Sequence, residues 1–399
     1  MTGIRRAAVA AVLALALSLP IAAAAGPASA APLPAATAAP AATAAEAAAA
    51  QLDLPRPTGR QPVGRSTLHL VDRDRPDPWV PSAGARQLMV SVYYPARPGT
   101  GGPATPYLTA EEARLLLDLQ VPGGNVPSEA ATGLHPWART DARPAPGRFP
   151  LVVLSPGFTL PRATLTGLAE DLAARGYVVA AVDHTYETSG TTFPDGRTLT
   201  CAVCQDLTEA KIAAVPPSRA QDISFVLDQL TGPRAAWPHA HMIDRDRIGL
   251  AGHSIGGNSA ATAMAADRRI RAGVNMDGKF FDPFPADGLG GRPFLLLGTQ
   301  ADHNSSGWDT SWNEAWTRMD GWKRWLTVTG SNHGTFTDGP LIAARAGLPD
   351  PGATLAPLRA SKLTRAYVGA FFDLHLKGVP QRLLDGPSAG YPEVVFQQA

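Results

Sequence analysis

The chain has 399 residues, with 35 lysines and arginines against 34 aspartates and glutamates, so its formal net charge is +1. Charged residues make up 17% and hydrophobic residues 45%, a composition typical of a chain with a large buried core. No basic cluster suggests nucleic-acid binding, and no acidic tail suggests a cation-binding segment.

The N-terminal segment is typical of a secretory signal peptide. Arg5 and Arg6 precede an alanine- and leucine-rich run, residues 7–25, and small residues end at Ala30. This pattern predicts a signal peptide over residues 1–30, cleaved after Ala30, and therefore a secreted protein. An uncleaved membrane anchor is the alternative, which the weak hydrophobicity of alanine disfavours. Residues 31–55, rich in Ala, Pro and Thr, predict a flexible linker, and residues 56–399 one domain.

Beyond the linker, the hydrophobic pattern alternates between strands and helices. Continuous apolar runs such as residues 149–154 are expected to be strands buried on both faces. The alternation predicts a doubly wound, mostly parallel α/β sheet with helices on both faces, whose ligands lie beyond the carboxyl ends of the strands. Predicted strands are residues 88–94, 149–154, 177–182, 248–251, 272–276, 294–298 and 324–329, and predicted helices include 110–119, 163–175 and one that begins at Ser218.

The pentapeptide Gly252-His253-Ser254-Ile255-Gly256 lies between a predicted strand and a predicted helix. A serine at the apex of such a turn has strained backbone and an exposed hydroxyl, and the flanking glycines avoid clashes of a Cβ. The motif alone arises by chance in a glycine-rich chain, so the flanking strand and helix carry the interpretation. Ser254 is the predicted nucleophile, with a purely structural glycine-rich turn as the alternative.

His333 is the predicted general base. It lies in a loop after the last predicted strand, and a serine hydroxyl needs an imidazole to take its proton during attack. The acid that orients the base could be either of two aspartates. Asp277 directly follows the strand at 272–276, whereas Asp302 lies four residues beyond the strand at 294–298. The rigid position of Asp277 before a glycine favours it, and Asp302 stays open.

Two backbone amides are predicted to form an oxyanion hole. One belongs to Ile255, the residue after the nucleophile. The other is assigned to Phe158 in the turn Ser155-Pro156-Gly157-Phe158, since proline has no N–H, with a plain Pro-Gly turn as the alternative. This chemistry requires no metal and no cofactor.

Two further patterns concern cysteine and tryptophan. Cys201 and Cys204 are too few for a tetrahedral zinc site and predict a local disulfide in an exported chain. Trp308, Trp312 and Trp316 recur every four residues, which predicts one core-facing helical stripe, with an aromatic wall of the binding site as the alternative.

Several motifs together resemble the secreted, Ca-independent platelet-activating-factor acetylhydrolases and their bacterial relatives among the α/β-hydrolases. The resemblance extends from about residue 59 to about residue 377. It implies an α/β-hydrolase fold and a serine esterase with Asp277 as the acid and His333 as the base. Pro156 and Ile255 depart from the family, which often has histidine and phenylalanine there, and both lie at pocket walls. The motifs are Val90-Ser91-Val92-Tyr93-Tyr94-Pro95, the Ser-Pro-Gly-Phe turn, residues 176–184, residues 243–248 leading into the elbow, Met276-Asp277-Gly278 and Gly330-Ser331-Asn332-His333.

The predicted function is therefore a secreted serine hydrolase that cleaves short-chain or phospholipid acyl esters through an acyl-enzyme. Its partner is a small-molecule ester or lipid, and a transient contact with a lipid surface is compatible with this. The alternatives are a cutinase-like polyester or long-chain ester hydrolase that uses Asp302, and an inactive binding protein of the same fold. The inserts at residues 96–148 and 185–217 disfavour the cutinase-like alternative, because they could cover the cleft. A peptidase or thioesterase on the same machinery also stays open.

Overall fold

A computed structural model describes residues 52–350 and 352–398 of the chain. The predicted signal peptide at residues 1–30 and nearly all of the predicted linker at 31–55 lie outside the described residues. Within the described part, none of the helices combines the length and the apolar character needed to cross a bilayer.

The centre of the fold is a ten-stranded sheet with the strand order β12-β11-β10-β9-β8-β4-β5-β2-β1-β3, and β6 and β7 form a separate hairpin. The six strands from β11 to β5 in that order run parallel, whereas β12, β2 and β1 join their inner neighbours in antiparallel fashion. This sheet confirms the predicted mostly parallel α/β architecture. The strands are β1 Val63–Pro76, β2 Ala85–Pro95, β3 Arg139–Thr140, β4 Phe149–Ser155, β5 Val178–His184, β6 Thr191–Thr192, β7 Thr198–Leu199, β8 Ile243–His253, β9 Ile270–Met276, β10 Phe294–Thr299, β11 Lys323–Val328 and β12 Val394–Phe396.

Helices cover both faces of the sheet. Along β4, Leu151 and Val153 pack into one buried cluster with α4, α5 and α6, while Val152 and Leu154 pack into another with α3 and α8. Successive side chains of a strand point to opposite faces, so a strand covered on both sides must be apolar at every position. The helices are α1 Ala110–Gln120, α2 Glu129–Thr132, α3 Thr166–Ala174, α4 Glu209–Thr231, α5 Ile255–Ala266, α6 Ser311–Arg318, α7 Gly339–Arg345 and α8 Pro357–Lys377.

The predicted start of the fourth helix at Ser218 is wrong. α4 begins at Glu209, where the side chain of Thr208 accepts a hydrogen bond from the Lys211 amide at 3.2 Å and caps the helix. Pro216 and Pro217 lie inside α4, although proline normally ends or kinks a helix. Tertiary packing overrides this local signal, because the first half of the helix packs against the segment that follows Ser254.

The insert at residues 185–217 is partly ordered by short elements. It contains the β6–β7 hairpin and the first turns of α4. Cys201 and Cys204 are joined in a disulfide, which confirms the predicted pairing. The insert therefore forms a structured part of the domain beside the carboxyl ends of the parallel strands.

Candidate active site

Ser254 lies at a sharp turn between β8 and α5. Its backbone has φ 56° and ψ −129°, in the left-handed region that non-glycine residues rarely adopt. A Cβ at Gly252 would lie 2.0 Å from the carbonyl oxygen of Gly256, and a Cβ at Gly256 would lie 2.2 Å from that of Ser155. The two glycines are thus required by close backbone approach, as the motif predicts.

His333 links the other two side chains of the predicted set. It begins a short 3₁₀ helix, His333–Phe336, just after β11. Its Nε2 lies 2.9 Å from Ser254 Oγ, and its Nδ1 lies 2.6 Å from Asp277 Oδ2. The structure therefore brings Ser254, His333 and Asp277 together in one hydrogen-bonded chain.

Asp277 directly follows β9 and is held firmly by the sheet. Its backbone has φ 60°, and its amide donates to the carbonyl of Leu297 at 2.9 Å. Asp302, the alternative acid, makes different contacts. It accepts hydrogen bonds from Trp308 Nε1 at 2.8 Å and from Thr299 Oγ1 at 3.3 Å. None of the hydrogen bonds among the described residues joins Asp302 to His333.

The carboxylate of Asp277 has a second histidine partner, His303, which the sequence motifs do not predict. Its Nδ1 lies 2.7 Å from Asp277 Oδ1, and its Nε2 lies 3.1 Å from Asp309 Oδ2. Burial alone would raise the pKa of Asp277, but the charge of His303 and hydrogen bonds from His303 and His333 hold that pKa well below its usual range. The sequence signal that could have identified His303 is its position, because it closely follows the buried strand β10, just as Asp277 follows β9.

His253, the residue before the predicted nucleophile, hydrogen-bonds the backbone of the predicted base, His333. Its Nε2 donates to the carbonyl oxygen of His333 at 2.7 Å, and the two rings are 4.7 Å apart. Burial is the main cause that lowers the pKa of His253 to about 3, so this ring is neutral at ordinary pH. His253 therefore positions the backbone of His333.

The two predicted oxyanion amides lie at the junction of the elbow and the turn after β4. Gly256 approaches the carbonyls of Ser155 and Pro156 so closely that the elbow and this turn are in backbone contact. In residues 52–350 and 352–398, neither the Phe158 amide nor the Ile255 amide donates a hydrogen bond to a protein group. Neither N–H group is therefore occupied by an acceptor of the described residues.

A buried arginine holds the turn after β4 in place by hydrogen bonds. Arg219, on α4, donates to the carbonyl oxygen of Pro156 and, at 3.2 Å, to Ser155 Oγ. Its Nε donates to Glu187 Oε2 at 2.6 Å, and both side chains are fully buried. Arg219 thus connects the insert, through Glu187, to the predicted oxyanion turn.

Beside the nucleophile lies a small apolar group that we call the elbow cluster. It surrounds Ile255 and includes three partly buried aromatic rings drawn from separate loops. The elbow cluster therefore packs directly against Ile255, the residue that follows the predicted nucleophile. The elbow cluster consists of Trp79, Phe158, Leu207, Ile212, Val215, Ile255 and Phe281.

The three tryptophans do not form the predicted single stripe. Trp312 is fully buried in the core and Trp316 packs against it, as expected of a core-facing helix. Trp308, however, precedes the first residue of α6 and is 65% exposed. The Nζ of Lys279 lies 5.1 Å from the centre of the Trp308 ring.

In the described part of the chain, no three His, Cys, Asp or Glu side chains are arranged to hold a metal ion.

A family comparison gives a match to most of the domain. The family described as platelet-activating factor acetylhydrolase, isoform II, matches residues 52–200 and 238–347. A protein from Arthroderma benhamiae, named "Probable 1-alkyl-2-acetylglycerophosphocholine esterase", is 30% identical over 382 residues, which cover 86% of this chain and 93% of that protein. The similarity therefore extends over nearly the whole length of both proteins.

Two Streptomyces proteins are also similar. The solved structure of a ferulic acid esterase from Streptomyces cinnamoneus has 46% sequence identity and a TM-score of 0.78, and the match covers 87% of this chain and 99% of that chain. A bis(hydroxyethyl) terephthalate hydrolase from Streptomyces coelicolor is 28% identical over 156 residues, which cover 38% of this chain and 40% of that protein. These three proteins are each named as enzymes that cleave carboxylic esters.

Proposed function

The chain belongs to the platelet-activating factor acetylhydrolase, isoform II, family and is a carboxylic ester hydrolase with an α/β-hydrolase fold, and we propose that Ser254, His333 and Asp277 carry its reaction. The supporting observation is the series of two short contacts, 2.9 Å from Ser254 Oγ to His333 Nε2 and 2.6 Å from His333 Nδ1 to Asp277 Oδ2. Asp277 accepts the Nδ1 proton, which leaves Nε2 free to accept the proton of the hydroxyl.

In the proposed reaction, Ser254 Oγ bonds to the ester carbonyl carbon while its proton moves to His333 Nε2. The carbonyl π electrons move to the oxygen, and their return breaks the carbon–oxygen bond to the alcohol. The alcohol leaves with the proton from His333, and the acyl group stays on Ser254. Water then repeats the sequence, which releases the carboxylic acid and restores the hydroxyl.

The amides of Ile255 and Phe158 are proposed to stabilise the oxyanion formed in both steps. Ile255 stands at the N-terminus of α5, where backbone N–H groups favour negative charge. Each such donor typically contributes about 3 to 4 kcal/mol to transition-state stabilisation. The amides lie on the rigid elbow and on the turn that Arg219 anchors, so they are fixed before substrate binds.

Short-chain or phospholipid acyl esters are the substrates we propose first. Support comes from the family assignment and from the acetylglycerophosphocholine esterase named above. The cleavage of lipid esters would also bring the enzyme into transient contact with lipid surfaces.

Esters with an aromatic acyl group are a second candidate, which the elbow cluster favours. Its rings Trp79, Phe158 and Phe281 lie around Ile255, next to the nucleophile, where a planar acyl group would be bound. The ferulic acid esterase and the terephthalate hydrolase are both named for aromatic substrates.

We further propose that the enzyme is exported, with residues 1–30 as its signal peptide. The disulfide between Cys201 and Cys204 supports an oxidising compartment. N-terminal sequencing of the protein from the culture medium is expected to begin at Ala31. Retention of residues 1–30 on a membrane fraction would contradict this proposal and favour an anchor.

The proposed nucleophile is tested by a fluorophosphonate probe, which phosphonylates only an activated serine. The wild-type protein is expected to be labelled and Ser254→Ala to be unlabelled and inactive. Unlabelled but folded wild-type protein would contradict the proposal and favour an inactive binding protein of this fold.

The substrate class is tested on the wild-type enzyme with p-nitrophenyl esters from acetate to palmitate, a phospholipid with a short sn-2 acyl chain, and methyl ferulate. The highest kcat/KM on the short-chain esters would support the first candidate, and the highest on methyl ferulate the second. Preference for palmitate would contradict both.

A further inference from the structure

We propose that His303 is a positioning residue for the reaction. It is a buried imidazolium that binds Asp277 Oδ1, the carboxylate oxygen that does not face His333, and it sets how strongly Asp277 attracts a proton on His333. This inference rests on the proposed roles of Ser254, His333 and Asp277. It assigns a function to a side chain that contacts neither the serine nor the base.

The hydrogen bonds of His303 determine its charge. Nδ1 faces Asp277 Oδ1 at 2.7 Å and Nε2 faces Asp309 Oδ2 at 3.1 Å, so both ring nitrogens face carboxylate oxygens. Ionised carboxylates only accept hydrogen bonds, and a neutral imidazole has only one N–H. Both contacts are therefore satisfied only when both ring nitrogens carry a proton, which makes His303 a cation.

Asp309 is held in its ionised form beyond His303. Its Oδ1 accepts a hydrogen bond from the Ser311 amide at 3.0 Å, at the N-terminal end of α6. Burial lowers the pKa of His303, but the charge of Asp277 and hydrogen bonds to Asp277 and Asp309 outweigh it and raise this pKa to about 9. The charge on His303 is therefore present throughout the neutral pH range.

The ring of His303 is fixed in place. It is 4% exposed and stacks on Trp312 with ring centres 4.2 Å apart and an interplanar angle of 26°, a favourable arrangement for a cation on an aromatic face. Its carbonyl accepts a hydrogen bond from Trp325 Nε1 at 2.6 Å. A Cβ at Gly298 would lie 2.9 Å from His303 Cβ and 3.1 Å from Asp277 Oδ1, so the backbone of Gly298 packs closely against both residues.

The consequence is electrostatic. The negative charge of Asp277 faces the cation of His303 on one side and His333 on the other. Of the remaining titratable neighbours, His253 is neutral. The carboxylate of Asp309 lies on the far side of His303, and the carboxylate of Asp302 is hydrogen-bonded to Trp308. Loss of the charge on His303 would leave Asp277 more strongly negative towards His333. The base would then keep its proton to higher pH, and a protonated base cannot activate the serine.

The experiment measures the second-order rate of inactivation by a fluorophosphonate from pH 4.5 to 9, in the wild type and in His303→Gln. Glutamine keeps a hydrogen-bond donor near Asp277 and removes the charge. We expect the acid limb of the profile to move to higher pH by about 0.5 to 1 unit. The plateau at high pH is expected to stay within about threefold, because the neutral base is intact there. Asp302→Asn, on the same loop but without contact to Asp277, is the matched control and should leave the acid limb in place.

A purely structural role would lower the plateau and leave the acid limb where it is, and that result would overturn the proposal. If His303→Gln does not fold, Asp309→Asn replaces it and removes a negative charge instead. Its acid limb should move to lower pH by a smaller amount while Asp277 keeps His303 protonated, and an unmoved limb would overturn the proposal. Failure of the underlying proposal is distinguishable, since the wild type would then show no labelling of Ser254 at any pH.

Discussion

Replacement of Asp277 by asparagine tests the proposed acid most directly, and the structure predicts how the new side chain will be oriented. Asp277 Oδ1 receives two N–H groups, from Thr299 at 2.6 Å and from His303 at 2.7 Å, whereas Oδ2 receives one, from His333. The single oxygen of an asparagine would therefore face Thr299 and His303. Its NH₂ group would face His333 Nδ1, which must then act as an acceptor.

This orientation forces His333 into the wrong tautomer. With Nδ1 unprotonated, the proton of the ring is on Nε2, which then donates to Ser254 Oγ and cannot take its proton. The loss of kcat expected for a wrong tautomer in a serine triad is about 10⁴-fold, which corresponds to about 5.4 kcal/mol in activation free energy. The fold should be retained, since asparagine has nearly the same volume and keeps the two hydrogen bonds at Oδ1.

The assay is steady-state hydrolysis of p-nitrophenyl acetate at pH 7.5 by Asp277→Asn and by Asp302→Asn, with circular dichroism as the check on folding. We expect Asp302→Asn to retain kcat within a few-fold, because its carboxylate contacts Trp308 and Thr299. More than a tenth of the wild-type kcat in Asp277→Asn, or a dead Asp302→Asn, would refute the reasoning and restore the cutinase-like assignment.

Two other predictions concern the packing of the elbow and the pH dependence of stability. Gly256→Ala places a Cβ 2.2 Å from the Ser155 carbonyl oxygen, so we expect esterase activity to fall at least about 100-fold and the free energy of unfolding to fall by about 1 to 3 kcal/mol. Gly386→Ala is the control, because no atom lies within 4 Å of its added Cβ, and it should change neither quantity. Burial raises the pKa of Asp338 to about 7 from an unfolded value near 3.8, so the folded state binds the extra proton and its stability falls as pH rises from about 4 to about 7. In thermal denaturation, Asp338→Asn should therefore raise Tm at pH 8 and change it much less at pH 4, and an equal shift at both values would contradict the assignment.

The elements around the nucleophile were predictable because their signals are local. The turn at Ser254 needs glycines on both sides. A Cβ at Gly256 would clash with the carbonyl oxygen of Ser155, at the end of the neighbouring strand β4. The position of Asp277 was likewise readable, since a carboxylate directly after a buried strand must lie at the edge where ligands bind. The start of α4 was not, because two prolines near Ser218 dominate the local pattern and long-range packing decides the outcome.

His303 escaped prediction for a different physical reason. In a serine hydrolase, sequence order identifies one acid and one base, and a third titratable group has no place in that scheme. Its role depends on which carboxylate oxygens its two ring nitrogens meet, and these belong to residues 26 positions before it and six after it in the chain. The elbow cluster was equally hidden, because its aromatic rings come from loops far apart in sequence.

The register of the sheet explains why the loop after β10 cooperates with the acid after β9. The two strands are parallel neighbours with Met276 opposite Leu297, so Asp277 emerges level with the start of the next loop. The Thr299 amide therefore reaches Asp277 Oδ1, and His303, whose amide donates to the Thr299 carbonyl at 3.0 Å, is carried to the same oxygen. In this chain the loop after β10, which carries the alternative acid Asp302, instead supplies the proposed cation His303 that faces Asp277. The proposed triad thus depends on a fourth side chain whose place follows from strand pairing.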